Sequence, residues 1–381
     1  MSTRSRIRRA VLAALMLAPT LVPTLAAAQS PLDRAMARLA AASPIGRTAR
    51  EEVAHAIARL RDPETRRQTR AALFDPEDCI LSRAGLDAAR QDRIIRGLQA
   101  RGWIDAGLQL ATVRAALFPA LPGDGGPCPH LGIPALAAPG GNTGSHHSWP
   151  GGLAVHIAVN LRSAGGLADS YSAIEGVTPD RDRIDGAILW HDWAKALVLR
   201  WRSDGTTTDE LAVAGAGAHH VLGLAEAMRR GFAPEQIVAQ ACAHGPATGD
   251  GQARVQAWLD AAAVIAQVDG RAYRATPTPA CFLAHLADQN WIYSDEAVIR
   301  TEAWLKARSP ALGIDPSAEP ARFRLCLLVP ALAWLGAERV FEALVEPDRV
   351  TALLRQALTA SASSALCPAH KTGRTRLIGR E

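Results

Sequence analysis

The sequence predicts an all-α fold, and three observations support this prediction. Apolar residues recur at helical spacing, as at Val53, Ile57 and Leu60. The alternation of apolar and polar residues that marks β-strands is nearly absent. Short breaks rich in Gly and Pro divide the chain into helix-sized segments. The 381 residues can bury a substantial core, either as one large helical domain or as two smaller ones.

The first 28 residues are predicted to be a secretory signal peptide. A start rich in arginine precedes an apolar stretch from Ala10, and small residues at 26–28 offer a cleavage site before Gln29. Pro19 and Pro23 interrupt the apolar stretch and argue against a membrane-spanning helix. We therefore expect a periplasmic or secreted protein that starts near Gln29 and has no stable membrane span.

The charge of the chain gives no strong case for nucleic-acid binding. The net charge is +5 at pH 7, and four of the arginines lie in the predicted signal peptide, which has no acidic residue. Removal of that segment leaves a charge near +1. A mature chain so close to neutral lacks the excess of Lys and Arg that phosphate-backbone binding requires.

The cysteines are even in number, which is expected of a chain that folds in an oxidising compartment. They are Cys79, Cys128, Cys242, Cys281, Cys326 and Cys367. We expect one to three disulfides, and the sequence does not choose among the many pairings that six cysteines allow. The spacings do not match those of a zinc finger.

The mature chain begins with two sections that carry few candidate functional residues. Residues 29–118 are predicted to form short amphipathic helices, with Ala35 and Leu39 on one face of the first. Residues 119–150 are rich in Pro and Gly and are predicted to form a loop. A long loop beside a functional site often serves as its wall or lid.

Residues 151–275 are predicted to form a helical core, with its start and stop signals at Pro150, Pro179, Gly231, Pro234 and 244–246. Its last predicted helix, about residues 252–274, carries Asp269. A helical extension follows at 276–360, and residues 361–381 are predicted to be a disordered tail.

Histidine and aspartate recur through this core in the order H…HD…H…H…D, at His156, His191, Asp192, His219 or His220, His244 and Asp269. These side chains are the ligands that hold divalent transition metals over phosphate groups. His191 and Asp192 lie inside the apolar run 188–194. Burying them there costs several kcal/mol unless they are paired or bound to a metal. The pair therefore indicates a metal site.

The motifs around these residues resemble those of the HD-domain metal-dependent phosphohydrolases. GSHHSWPGGLAVH at 144–156 resembles the first motif of the branch that contains 3′-to-5′ exoribonucleases, whose usual form is close to HHxYxGGLxxH. HDWAK at 191–195 resembles the HDxxK signature, and 219–223 resembles the later HxxxG element. The resemblance covers roughly residues 141–275, and the first two motifs together make it specific.

The resemblance implies an HD-type helical core with helical extensions at both ends, and a metal-dependent phosphohydrolase activity. The substrate would be a phosphate mono- or diester, such as a nucleotide or another small phosphorylated molecule. One or two divalent ions are implied, with Mn²⁺ or Fe²⁺ favoured and Zn²⁺ or Ni²⁺ as alternatives. The implied first ligand set is His156, His191, Asp192 and Asp269. The implied second set is His219 and His244, with Asp192 as the bridge.

Two of these assignments have a rival. The HxxxG register favours His219, whereas His220 lies about 100° further round the helix and is a candidate substrate contact. Spacing from His244 favours Asp269 over Asp288. The chain also departs from the family pattern at Val155, where an acidic residue is usual, and at Ala243, where many relatives carry a second histidine.

Lys195 and two further histidines are the remaining candidates. Lys195 follows His191 by four residues, which places both on one helical face. We predict that Lys195 and Asp192 are the catalytic residues, with Lys195 as the cation for a phosphate oxygen or a metal-bound hydroxide. His146 and His147 precede a Pro-Gly-Gly turn and are predicted to contact substrate phosphate.

A non-catalytic reading of the same residues remains open. An exported HD-type domain could bind a metal or nucleotide as a sensor, or could be an envelope protein whose histidines only bind zinc. The departures at Val155 and Ala243 favour these alternatives. The oligomeric state is not indicated by the sequence.

Overall fold

The computed structural model describes residues 30–343 and 366–367. The predicted signal peptide lies outside the described residues, as do residues 344–360 of the predicted extension and nearly all of the predicted tail. Among the residues that are described, no helix is both long enough and apolar enough to cross a membrane.

The predicted all-α class is confirmed. Within residues 30–343, helices dominate, and the named strands are two residues long: β1 (Ala212–Val213) pairs antiparallel with β2 (Ala216–Gly217). The helical periodicity that runs through the sequence is therefore realised, and the short hairpin falls in a stretch without such periodicity.

The amino-terminal region is a series of helices with local start signals. Ser30, Ser43 and Asp62 cap three of them by accepting a backbone N–H, and each is followed by a proline at the first helical position. The helices of this region are α1 (Pro31–Ala42), α2 (Pro44–Arg59), α3 (Pro63–Phe74), α4 (Ala88–Gln99) and α5 (Leu110–Leu117).

The segment between α5 and α6 is irregular apart from one 3-10 turn, Ala135–Ala137. The end of this turn is hydrogen-bonded to the start of α6: Gly151 N–H donates to the Ala137 carbonyl at 2.9 Å, and Leu153 N–H to the Ala138 carbonyl at 3.1 Å. These bonds hold the loop that contains the two adjacent histidines against α6.

The central helices pack around α6, which contacts α2, α7 and α12. Another pair, α9 and α11, packs beside them, and α10 contacts both α7 and α12. The helices of this part are α6 (Gly152–Glu175), α7 (Arg181–Trp190), α8 (Lys195–Val198), α9 (Ala218–Arg229), α10 (Pro234–Cys242), α11 (Asp250–Ala266) and α12 (Pro279–Asp288).

The carboxyl-terminal helices build a second, smaller hydrophobic cluster together with α1. They are α13 (Trp291–Arg308), α14 (Pro320–Phe323), α15 (Val329–Leu335) and α16 (Ala337–Ala343), with a π turn at Arg324–Leu328. Val155 on α6 packs against this cluster and against the larger one. An acidic residue at this position would be placed between two apolar clusters, which gives a physical reason for the valine.

Three disulfides join all six cysteines: Cys79–Cys128, Cys242–Cys281 and Cys326–Cys367. This number is the upper end of the expected range. Cys242–Cys281 links the last residue of α10 to the third residue of α12, and both side chains are fully buried. Complete pairing is typical of proteins that fold in an oxidising compartment.

Candidate metal centre

The first group of candidate ligands lies where α6, α7 and α12 meet. His156 lies on α6, His191 and Asp192 directly follow α7, and Asp288 is the last residue of α12. All four side chains are buried. We call them the first ligand group.

The ligand atoms of the first group lie at nearly equal spacing. His156 Nε2 is 3.0 Å from Asp192 Oδ2 and 3.0 Å from Asp288 Oδ1. His191 Nε2 is 3.4 Å from each of the same two oxygens and 3.2 Å from His156 Nε2. Ligand atoms about 2.1 Å from a shared ion are separated by about 3.0 Å when they are at right angles and by about 3.4 Å in a tetrahedral arrangement. The spacing therefore fits a single ion held by all four side chains.

A second group of ligands faces the other oxygen of Asp192. His219 is the second residue of α9, and His244 lies two residues beyond α10. The Nε2 atom of each is 3.1 Å from Asp192 Oδ1. We call Asp192, His219 and His244 the second ligand group. Each oxygen of Asp192 thus belongs to a different group, which is the arrangement of a carboxylate that bridges two ions.

Two of these ligand atoms have no hydrogen-bond partner. Asp192 Oδ2 and His219 Nε2 are buried without a hydrogen-bond partner, although both have charged or imidazole atoms within 3.1 Å. The nearest of these neighbours is Lys195 Nζ, which forms an ion pair with Asp192 Oδ2. An unsatisfied buried polar atom costs about 1–3 kcal/mol. A metal ion between these atoms would satisfy them, so the donor set fits a divalent transition metal.

The protonation states of the two carboxylates and of His244 suit metal binding. For His191 and His219, burial lowers the pKa, but the neighbouring carboxylates outweigh burial and raise both pKa values, so an ion would displace a proton from each ring. Burial would raise the pKa of Asp192, but His191 and Lys195 outweigh that effect and hold the pKa well below its usual value. For Asp288, burial is likewise outweighed by hydrogen bonds from His156 and His191, so its pKa is also well below the usual value. Burial lowers the pKa of His244 to about 4. Ionised carboxylates and a neutral imidazole are the forms that bind metals.

Asp269 does not lie in either ligand group. Asp288 takes the position in the first ligand group that was predicted for Asp269. Helix α11 ends at Ala266, short of the predicted end, because Gln267 adopts a left-handed backbone conformation with φ 54°. The chain then leaves the core, and Asp269 binds Arg271 at the surface with its side chain 58% exposed. The hydrogen bonds from Arg271 lower the pKa of Asp269 to about 2. Asp269 is therefore corrected to a surface residue.

The different positions of Asp288 and Asp269 should give their variants different metal contents. Asp288→Asn should lose the ion of the first ligand group, because it replaces one of only two carboxylates in that group with a neutral amide. Asp269→Asn should keep the wild-type metal content, since Asp269 pairs with Arg271 at the surface. Elemental analysis of both variants, purified without chelator, checks this. Equal metal loss in both variants would contradict the assignment of Asp288.

Lys195 reaches the centre from the first residue of α8. Its Nζ atom is 2.6 Å from Asp192 Oδ2 and donates to the Gly140 carbonyl at 2.5 Å. The side chain is 6% exposed. The predicted neighbourhood of Lys195 and the ligands is therefore present, although turns at 191–194 break the helix between His191 and Lys195.

His219 and His220 take different places. His219 belongs to the second ligand group, as the HxxxG register favours. The ring of His220 stacks flat on that of His244, with ring centres 3.5 Å apart and planes 4° apart. Rings stacked face to face direct their in-plane lone pairs along parallel lines, which disfavours a shared ion, although the ligand atoms of His219, His220 and His244 lie within 4.8 Å of one another. His220 therefore supports His244, while its edge lines the pocket above the ligands.

The two adjacent histidines before α6 also separate. His146 lines the pocket, with its ring centre 5.0 Å from that of His156. His147 has a left-handed backbone with φ 51° and is 1% exposed, packed against Trp149 with ring centres 5.3 Å apart. Burial lowers the pKa of both rings, so both are neutral at pH 7. His146 lines the pocket and is placed to contact a substrate. His147 is not among the lining residues, so the predicted contact by His147 is corrected to a buried position beside His146 and His156.

Two polar residues near the ligands were not among the predicted site residues. Asn160 lies one turn after His156, and its side-chain amide donates to Asp288 Oδ1 at 3.0 Å. Its spacing from His156 was a usable signal. Glu210 accepts from Nδ1 of His219 at 2.7 Å. Glu210 lies in the irregular stretch before β1, where no periodic pattern marks it.

The ligand groups form the floor of an open pocket of about 450 Å³. Ala243, where relatives carry a further histidine, is fully buried beside this floor, and its carbonyl accepts from His285 Nδ1 at 3.1 Å. The lining of the pocket also contains the polar or aromatic residues Asn142, Ser145, Gln289, Trp291 and Asp295. The pocket can admit a small polar molecule to the candidate metals.

In comparisons with known proteins, no protein-family model, no curated protein and no solved structure matches the chain. The likeness to HD-domain phosphohydrolases therefore rests on the motifs at 144–156, 191–195 and 219–223.

Proposed function

We propose that the protein is an HD-type, metal-dependent phosphohydrolase that acts on a phosphate mono- or diester, such as a nucleotide or another small phosphorylated molecule. The observation that carries the proposal is the position of Asp192 at the floor of an open pocket, with one oxygen facing each ligand group. Two ions held side by side in this way can contact one phosphate together.

The ligands would hold Mn²⁺ or Fe²⁺ in preference, because imidazole and carboxylate together suit these ions, and Zn²⁺ or Ni²⁺ are the alternatives. His156, His191, Asp192 and Asp288 would hold the first ion. Asp192, His219 and His244 would hold the second. When bound, such ions lower the pKa of a water molecule and offset negative charge on phosphoryl oxygens.

The chain's own residues would orient the substrate over the ligands. Among the described residues that line the pocket, Lys195 is the one lysine or arginine, and its ammonium group lies beside Asp192. It would attract a phosphoryl oxygen and stabilise the charge that develops there. His146, neutral at pH 7, would add a hydrogen bond and not a charge.

The proposal places this reaction outside the cytoplasm, in the periplasm or the external medium. The paired cysteines support an oxidising compartment. The basic and apolar character of residues 1–28 supports export.

A turnover screen tests the proposed activity. We expect protein purified without chelator to hydrolyse p-nitrophenyl phosphate, bis-p-nitrophenyl phosphate or a nucleotide in the presence of Mn²⁺ or Fe²⁺. Chelation should abolish turnover, and one of the four candidate ions should restore it. A protein that binds metal but hydrolyses none of these esters would instead support the sensor alternative. A protein that binds no metal would contradict both.

A further inference from the structure

Glu210 is a buried carboxylate that belongs to neither ligand group. Its side chain is 9% exposed. Its two oxygens lie 2.9 and 2.7 Å from Nδ1 of His219, and one of them also accepts from the backbone N–H of His219 at 3.3 Å. Glu210 thus holds both the ring and the main chain at the start of α9.

This contact determines which nitrogen of His219 carries the proton. A carboxylate accepts hydrogen bonds, so Nδ1 of His219 must donate. In the neutral ring, Nε2 then has a free lone pair. That atom is 3.1 Å from Asp192 Oδ1 and has no hydrogen-bond partner. The ring is therefore oriented with Nε2 toward the second ligand group. Although burial lowers the pKa of His219, Glu210 and Asp192 outweigh that effect and raise it to about 9, so an ion bound there at pH 7 would replace the proton on Nε2 while Glu210 keeps the proton on Nδ1.

The local backbone leaves room for this contact. Gly217, the last residue of β2, lies against the pair. A Cβ atom at Gly217 would be 2.5 Å from Glu210 Oε2 and 3.2 Å from His219 Nδ1. Real Cβ atoms do not approach an oxygen so closely, so any larger residue would displace the carboxylate from the ring. Glycine at this position and the contact between Glu210 and His219 therefore belong together.

We propose that Glu210 is a positioning residue that fixes the Nδ1–H form of His219 and thereby sets the affinity of the second ligand group for its ion. The inference rests on the proposed metal centre, and it assigns to Glu210 a role in one ligand group only. Glu210 contacts His219 of the second group, and Asp192 is the residue that the two groups share. Loss of an outer partner of this kind typically weakens metal binding by about 10–100-fold.

The test uses the full mature chain, stripped of metal and titrated with Mn²⁺. Wild type should show two classes of site. Glu210→Ala should weaken one class by about 10–100-fold and leave the other unchanged. Glu210→Gln should largely restore binding, because its amide oxygen can still accept from Nδ1–H. Asp209→Ala is the matched control, since Asp209 is the neighbouring carboxylate, 89% exposed and paired with Arg202. It should bind as wild type does.

Nitrogen NMR of the histidine rings in the metal-free protein provides a second measurement. The spectra are recorded above pH 9, because the pKa of His219 in wild type is about 9 and only the neutral ring has a tautomer. There, His219 should be in the Nδ1–H form in wild type and in Glu210→Gln, and should lose this preference in Glu210→Ala. Unchanged Mn²⁺ affinity in folded Glu210→Ala, or an Nε2–H ring in wild type, would overturn the inference while leaving the proposed function in place. Failure of wild type to bind any ion would overturn both. If Glu210→Ala does not fold, the wild-type and Glu210→Gln rings still decide the tautomer.

Discussion

Asp192→Asn is expected to remove both metal ions at once and to abolish turnover. The two oxygens of Asp192 face different ligand groups, and the side chain is fully buried, so the substitution removes a negative charge from both groups at once. Asparagine keeps the shape of the side chain but offers a neutral oxygen to one group and an N–H donor to the other. We expect a larger fall in rate than the about 10²–10³-fold that follows from loss of a single charge-stabilising donor.

Variants of the separate groups provide the comparison. His156→Ala should lose the first ion and keep the second, and His244→Ala should do the reverse, because each histidine contacts a different oxygen of Asp192. Elemental analysis gives the number of ions in each variant. If Asp192→Asn retains as much metal as either single-group variant, then Asp192 does not bridge the two groups.

Lys195→Ala is expected to show the opposite pattern, with metal retained and catalysis lost. The ammonium group lies 2.6 Å from Asp192 Oδ2 but cannot itself bind a metal while protonated. Its removal takes away a positive charge beside the expected position of the phosphoryl oxygens. We expect kcat to fall by about 10²–10³-fold, with a smaller change in KM.

Two further variants make this result interpretable. Lys195→Met retains the bulk of the side chain, and should therefore fold even if the smaller alanine leaves a cavity next to the Gly140 carbonyl. Lys306→Ala removes a lysine that is 52% exposed on α13 and paired with Glu302, and it should behave as wild type. Undiminished kcat in Lys195→Met, with normal metal content, would exclude a role for Lys195 in the chemical step.

Local sequence patterns predicted the parts of the centre that local structure determines. His156 and the His191–Asp192 pair lie on or directly after helices whose apolar periodicity is clear, and the structure brings them together. Asp288 could not be chosen over Asp269 by spacing. The choice depends on where α11 ends and on the return of α12 to α6, and both depend on tertiary packing.

Asn160 and Glu210, the two polar residues that contact the ligands, differ in the same way in how far sequence predicts them. Asn160 follows His156 by one helical turn, so helical periodicity alone predicts that the two side chains are neighbours. Glu210 reaches His219 through a turn and a two-residue hairpin. No periodic pattern relates the two positions, and only the folded backbone around Gly217 places the carboxylate against the ring. The all-α class needed no such information, because it follows from periodicity along most of the chain.

The disulfide between α10 and α12 links the candidate metal centre to the redox conditions in which the chain folds. Cys242 lies two residues before His244, and Cys281 lies seven residues before Asp288 on the same helix. The covalent bond therefore ties a ligand of one group to a ligand of the other. Both sulfur-bearing side chains are fully buried, so the folded protein shields this bond from reductants in solution. The redox conditions during folding then determine whether α10 and α12, which carry ligands of different groups, are joined covalently. In protein made in a reducing cell interior, His244 would be held near Asp288 by packing and by noncovalent contacts, among them the His285–Ala243 hydrogen bond and the contact of His244 with Asp192.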